Sequence, residues 1–403
     1  MTRVVVILPS STYRAGEFVK ASGELGVELI VASEGEAPIE MGDRYLQIDC
    51  SDVDAAAARI VALGDTSQID GIVAADDTGV VVAAVAGQKL GLPSNDPDAA
   101  RATRDKAVMR RRLELGEVPQ PRWATVDPSD NADTVAESIG CPLVIKPLAL
   151  SAGQGVIRVE RPEDLTESTE RSRAIIRSTG QVNETLLVES YMEGSEVAVE
   201  GLVANGNLLA LAIFDKPVES VGKGFEETIL ITPSRHEESV QTEILRVAAQ
   251  AVRSLGLSQG PVHIELIISG EKVRVVEVAG RSIGGLCSRS LSFGLMDTSL
   301  ESLILRNAIG RDKPELRRSP EASGVLMLPI PRGGTLAGFE GLDEVRGQEA
   351  ITGVEITARP GDVVAPPPDG GRYIGFVFAE AKTPEAVEMV LKKAMSTIEV
   401  IIG

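Results

Sequence analysis

The sequence predicts a mixed α/β and α+β fold in two or three domains. Three observations carry that prediction. Short β-branched runs alternate with helix-period segments over the first hundred residues. Strand pairs joined by tight turns dominate the middle. A charged, proline-bounded stretch then sets off a smaller final segment. The length of 403 residues allows two or three domains at about 100–200 residues each. With 43% hydrophobic and 25% charged residues the chain is ordinary for a globular protein, so disorder is excluded over most of it. The net charge of −19 argues against nonspecific nucleic-acid binding, and no aromatic ladder contradicts it. No apolar stretch is long enough to span a bilayer, and the chain opens on a strand with no basic leader, which reads as cytoplasmic. Cys50, Cys141 and Cys287 are too dispersed to pair as CxxC. With only His236 and His263 beside them they make no zinc set and read as reduced thiols.

Residues 1 to about 95 place strands at 4–8, 27–32 and 71–75 and helices at 15–25, 52–63 and 80–90. That alternation implies a parallel sheet covered on both faces. Asp76 and Asp77 then fall at the carboxyl edge of the sheet, where ligands bind in open α/β folds. A helix cap and solvated loop account for at least one of the two. No GxGxxG follows the first strand, so a dinucleotide fold is not indicated.

After the boundary Pro93-Ser94-Asn95-Asp96-Pro97 comes one helix over 101–113 with Lys106, Arg110, Arg111 and Arg112. A solvated basic face is the usual explanation of such a run. Next, an apolar strand ends on Lys146 and leads through a loop with Ser151, Gly153 and Gly155 to the strand 157–159. Glycines there let backbone N–H groups converge on an anion while the lysine supplies a point charge. GxxxxGK[ST] is absent, so this is not a P-loop. Residues 185–201 read as a strand, a bend and a strand. Glu189 can accept from an adenine amino group, backbone at Tyr191 and Met192 can pair with the base edge, and Glu196 can meet ribose hydroxyls. The alternative is a surface hairpin. Two more strands, 208–214 and 228–232, flank Asp215-Lys216-Pro217 and the loop 218–227.

The segment 260–291 carries the densest chemistry. Strands 263–268 and 272–278 run antiparallel around Ser269-Gly270-Glu271, with Glu265 on one and Glu277 on the other among β-branched neighbours. A carboxylate in such company is costly to desolvate unless a cation or hydrogen bonds meet it. The pair can hold a hard divalent ion such as Mg²⁺. A hairpin with two solvated glutamates is an equal alternative on spacing alone. Gly280-Arg281-Ser282-Ile283-Gly284-Gly285 follows, a fixed cation beside a flexible backbone. Cys287 there reads as a buried small residue rather than a nucleophile.

In their order, these pieces resemble the ATP-grasp superfamily over nearly the whole chain. Lys106, Lys146, the 151–155 loop, Glu189, Glu196, Glu265, Glu277 and Arg281 stand where that family has its two lysines, glycine loop, hinge glutamate and metal glutamates. The phrase GPVHIEL…VVEVAGRSIGG is most similar to the carboxylate–amine ligase branch, including L-amino acid ligases and biotin-carboxylase-like enzymes. Asp215-Lys216, Phe225-Glu226-Glu227 and Pro233-Ser234 fit the same branch.

The resemblance implies an N-terminal α/β domain over 1–100, an ATP-grasp domain over 101–310 with a mobile lid at about 118–183, and a C-terminal α/β cap over 311–403. It implies ATP bound by Lys106, Lys146, Ser151, Gly153, Gly155, Glu189, Tyr191, Met192 and Glu196. Mg²⁺, with Mn²⁺ as substitute, falls to Glu265 and Glu277, and catalysis to Arg281, Lys216 and Ser282. Partners are a small-molecule acid and amine, and a second copy of the chain through the N-terminal domain. One departure is plain: the family commonly has Asn two residues after the second metal glutamate, and here Ala279 stands there. The lid loop also has fewer glycines than many relatives, implying a stiffer lid.

The leading expectation is an ATP-dependent ligase that joins a carboxylate to an amine through an acyl phosphate. The alternatives are a bicarbonate-activating, biotin-carboxylase-like enzyme and a non-catalytic ATP-binding regulator.

Overall fold

The computed structural model describes residues 2–9, 12–35, 42–217, 228–294, 297–311 and 318–403. The loop 218–227, with Phe225-Glu226-Glu227, and residues 312–317 of the charged stretch lie outside them.

The first unit is a four-stranded parallel sheet in the order Tyr45–Gln47, Glu28–Ser33, Arg3–Ile7, Gly71–Ala74. Val4 and Val6 enter one core while Val5 and Ile7 enter another, so the central strand is buried on both faces. That is why it reads as an unbroken β-branched run. The edge strand Tyr45–Gln47, with only three residues, carries too little periodicity to be seen in sequence.

The basic helix expected over 101–113 is two helices, Pro97–Ala102 and Lys106–Leu115. Asp105 caps the second, its Oδ1 accepting from Ala107 N at 2.9 Å and Val108 N at 3.0 Å. The solvated basic face gives way as well: Arg110 is 0% exposed and Lys106 is 7% exposed. Their charges are spent inside the protein.

The segment expected as the lid at about 118–183 forms an antiparallel sheet that also takes in the strand after it, in the order Trp123–Val126, Leu186–Ser190, Leu143–Pro147, Ile157–Val159. The helices Ala132–Ile139 and Leu165–Ser178 pack on it. The strand Ser195–Ala204 belongs to a different sheet, so residues 185–201 are no surface hairpin but a crossing between two units.

The large sheet has eight antiparallel strands, ordered Lys272–Ala279, Gln259–Ser269, Ser195–Ala204, Asn207–Lys216, Ile229–Thr232, Ala322–Met327, Gly375–Ala381, Ile351–Ile356. It runs without a break into the C-terminal segment, where Ile231 pairs with Gly324. Beneath its first strands lies the helix Glu238–Leu255, whose buried residues Ile244, Val247, Ala248, Ala251, Val252 and Leu255 recur at helical spacing. A three-stranded sheet, Val363–Val364, Gly334–Glu340 and Glu399–Ile402, completes the C-terminal segment beside the helix Pro384–Thr397.

Candidate active site

The hairpin floor is set by strand alternation and one break in it. On Gln259–Ser269, Val262, Ile264, Leu266 and Ile268 enter the core while His263, Glu265 and Ile267 line a cavity. On the partner strand Val273 and Val275 enter the same core, so strict alternation would send residue 277 inward too. A β-bulge prevents it. Glu265 pairs with Glu277 but Leu266 pairs with Val275, which leaves Val276 as the extra residue. Phase shifts by one, Val278 takes the core position, and Glu277 faces the cavity opposite Glu265.

Each floor carboxylate has a lysine. Lys106 Nζ lies 3.0 Å from Glu277 Oε1, and Lys216 Nζ lies 3.0 Å from Glu265 Oε1 and 2.6 Å from Glu196 Oε1. Burial works to raise the Glu265 pKa, yet Lys216 and then His263 hold it well below the usual carboxylate range. His263 bridges two acids, with Nδ1 3.0 Å from Glu200 Oε2 and Nε2 3.7 Å from Glu265 Oε1. Burial opposes its charge, but the bonds to those two glutamates outweigh it and its pKa is pushed up to about 9. His263 therefore joins the floor. It stands directly across from Ala279.

Arg110 is the organising cation that sequence reasoning passed over as part of a surface run. It donates to Glu189 through Nε, to Val275 O through Nη1 at 3.0 Å, and to Val276 O through Nη2. One fork thus holds the bulge that aims Glu277 and the glutamate at the end of the lid strand. Lys146 Nζ meets the other Glu189 oxygen at 2.8 Å. Burial would raise the Glu189 pKa, but Arg110 and Lys146 bring it down to about 2. Each Glu189 oxygen thus already accepts from one cation, and the residue also lines the cavity. The side chains of Tyr191 and Arg158 stack beside it, the guanidinium carbon 3.8 Å from the ring centroid. Tyr191 and Met192 both line the cavity.

At the other margin, Arg281 Nε lies 3.0 Å from Asp77 Oδ2, and Arg104 Nη1 lies 3.1 Å from Asp77 Oδ1. Burial is overcome by Arg281 and Arg104, and Asp77 titrates at about 2. Asp76 is the cap: its Oδ1 accepts from Thr78 N at 3.0 Å and Thr78 Oγ1 at 2.7 Å. Ser282, expected to be catalytic, is 1% exposed and accepts from Arg14 Nη2 at 2.9 Å; the same nitrogen meets Glu301 Oε1 at 2.9 Å. Its hydroxyl is engaged by Arg14, and Ser282 is not among the residues that line the cavity described below. Cys287 is buried in the cavity wall, its Sγ 3.5 Å from Met327 Sδ.

The cavity has a volume of about 1500 Å³. Drug-sized ligands fill roughly 300–1,000 Å³, so it has room for a nucleotide together with further small molecules. Ser151, Gly153, Lys146, Glu189, Glu196, Lys216, Glu265, Glu277 and Arg281 all line it, and Lys106 reaches it through Glu277. Gly155 lies just behind the lid loop with φ +72°, where an added Cβ would sit 2.5 Å from Pro147 Cγ. Tyr13, Ile229, Leu328, Ile330 and Tyr373 supply apolar parts of its wall. Tyr13 and Tyr373 both pack on Phe376, with centroids 5.8 Å and 5.5 Å away.

Glu265 and Glu277 suit a hard divalent ion. They are cross-strand partners on one face, and Glu265 is ionised at neutral pH. Among the described residues no group of three or more His, Cys, Asp or Glu forms a metal cage. A hard divalent ion of the magnesium kind takes one or two carboxylates and completes its shell with phosphate oxygens and water.

Comparison with known proteins adds three family matches: an ATP-grasp N-terminal domain over residues 19–94, an ATP-grasp domain over 139–290, and L-amino acid ligase C-terminal domain 2 over 326–403. The L-arginine-specific L-amino acid ligase of Bacillus subtilis is 23% identical over 79% of this chain and 77% of its own length. The alanine–anticapsin ligase of Bacillus subtilis (strain 168) is 25% identical over 56% of this chain; the match spans 51%, about half, of that relative. The crystal structure of L-amino acid ligase from Bacillus licheniformis superposes with a TM-score of 0.84 at 23% identity, covering 100% of this chain and 99% of the other. Among the described residues no helix is long and apolar enough to cross a membrane.

Proposed function

We propose a reaction from the premise that this chain belongs to the ATP-grasp superfamily, in its carboxylate–amine ligase branch: it joins a carboxylate, that of an amino acid, to an amine at the expense of ATP, giving ADP and phosphate. The observation that carries this reading is the bulged hairpin that sets Glu265 and Glu277 side by side, each with a lysine, on the floor of a cavity walled by Lys146 and Arg281.

Phosphoryl transfer asks a protein mainly for positioning and charge stabilisation. Lys106 and Lys146 neutralise phosphate oxygens, with Tyr191, Met192 and Glu196 at the nucleoside end. Glu265 and Glu277 would hold a magnesium ion, whose chemistry when bound is to withdraw charge from phosphate; manganese accepts the same oxygen donors. The substrate carboxylate attacks the γ-phosphorus, forming a C–O–P bond as the bond to the ADP oxygen breaks. The amine then adds to the acyl carbon, and phosphate departs as the C–N bond completes and the nitrogen loses its proton. Arg281, held by Asp77, faces the oxygen that gathers charge in that second step. Lys216 keeps Glu265 ionised, and the loop around Ser151, Gly153 and Gly155 covers the acyl phosphate against water. Assembly as a homodimer through the first domain belongs to the same proposal.

A phosphate-release screen over pairs of amino acids, with ATP and Mg²⁺, tests the reading. Release is expected only when acid and amine are both present, and Glu277→Gln should lower it by roughly 10³-fold. Release driven by bicarbonate alone would replace this reaction with bicarbonate activation. Undiminished release in Glu277→Gln would remove the metal assignment.

A further inference from the structure

The C-terminal segment reaches the lid. The tip of the lid loop is held from two sides. Its base is gripped by the basic helix: Lys106 N donates to Leu148 O at 3.1 Å, Lys106 Nζ to Leu150 O at 2.7 Å, and Arg104 Nη2 to Ala149 O at 3.1 Å. Its far side rests on the turn Pro366-Pro367-Pro368-Asp369-Gly370-Gly371. Gly155 N donates to Pro368 O at 2.8 Å. Asp369 Oδ2 meets Arg171 Nη2, on the lid helix Leu165–Ser178, at 2.9 Å. Gly371 lies flat against the loop: an added Cβ would stand 3.4 Å from Ala152 Cβ, 3.5 Å from Ser151 O and 3.6 Å from Gln154 Cβ. Pro367 and Gly371 also line the cavity.

We propose that the turn 366–371 is the catch of the lid, with Asp369 and Arg171 as positioning residues that set how the acyl phosphate divides between amine and water. This rests on the ligase reading above. Three prolines stiffen the turn, so the Pro368 carbonyl is presented with little further ordering to undo. The lid loop is the compliant partner. Ala152 at φ +54° and Gly153 at φ +71° are left-handed, and a loop so bent needs contacts outside itself to keep one conformation. A lid that closes only part of the time lets water reach a reactive acyl phosphate, so the catch acts on coupling rather than on chemistry. Neither Asp369 nor Arg171 touches a group assigned to ATP, metal or substrate.

The test uses the full chain with Mg²⁺ and a non-hydrolysable ATP analogue, and reads amide hydrogen exchange across residues 151–156. Asp369→Lys and Arg171→Glu should each speed exchange there by about two- to fivefold, the scale of an exposed ion pair. The double variant, which re-forms the pair in reverse, should return it to the parent value. Gly371→Leu, which drives a side chain into Ser151 and Ala152, should speed it roughly tenfold. In turnover, phosphate released per C–N bond formed should rise in the same order. Parent-like exchange in both single variants, or no rescue in the double, overturns the catch. Amides of the Gln259–Ser269 strand serve as the folding control; a variant that loses protection there is replaced by Asp369→Asn or Arg171→Gln, judged by the same two criteria. If the exchange pattern holds while no acid–amine pair is ever ligated, the catch stands and the ligase reading falls.

Discussion

Two parts of the cavity wall are built on opposite principles. The charged part is a lattice of compensated charge: Glu189 between Arg110 and Lys146, Glu277 on Lys106, Glu265 on Lys216, Asp77 between Arg104 and Arg281. The apolar wall is made of shape, with Tyr13 and Tyr373 packed on the buried ring of Phe376. Triphosphate chemistry is common to every turnover and demands fixed charges. An acid or amine side chain is chosen by volume, which apolar walls can change without disturbing those charges. On the proposed ligase reading, that difference assigns reaction type to the charges and substrate choice to the apolar wall.

The charged part should break hardest. Arg110→Met leaves Glu189 with one cation and the bulge carbonyls of Val275 and Val276 without their donor. A loss of about 3–5 kcal/mol in unfolding free energy is expected, measured by denaturant titration. If stability is unchanged, the lattice does not support the floor. Mild acid should reveal the same lattice with no mutation. Glu189 titrates at about 2 in the folded chain, against an ordinary value of 4.5. A depressed folded pKa contributes stability that is complete above the unfolded value and is lost as pH falls through the folded one. Glu189 alone then accounts for about 3 kcal/mol disappearing between pH ~4.5 and ~2. Asp77, also at about 2, loses its contribution over a similar window. Thermal melts across that range should show the decline, and a flat profile would count against both pairs. The apolar wall should respond least in stability and most in selectivity. Tyr373→Ala opens the wall beside Phe376 and should shift the kcat/KM ratio between bulky and small substrate side chains by about tenfold, with ATP affinity unchanged. An equal change for all substrates would place Tyr373 in the shared machinery instead.

How much of this was legible in the sequence differs residue by residue. Glu265, Glu277, Lys146 and Arg281 were legible because each is a charged residue at the end of, or inside, a β-branched run, where burial without a partner is too costly to tolerate. The parallel sheet was legible because Val4–Leu8 carries its burial on both faces in its own composition. Arg110 was not: three arginines in a row look like a solvated surface, and only the fold shows that one of them enters the core while its neighbours stay out. Arg14 and Asp77 were missed or left open for a related reason, since their partners stand far away in the chain, Ser282 and Glu301 for one and Arg104 and Arg281 for the other. Nothing local to the turn 366–371 says that it touches the lid loop.

By itself the sequence determined which residue types occur on which strands, and hence the kind of chemistry on offer, because strand period and the cost of burying charge are local properties. Which face those residues take was decided only by the tertiary structure. A single extra residue at Val276 turns Glu277 out of the core and toward Glu265. That phase can be settled only by the strand across from it and by the arginine that holds its carbonyls.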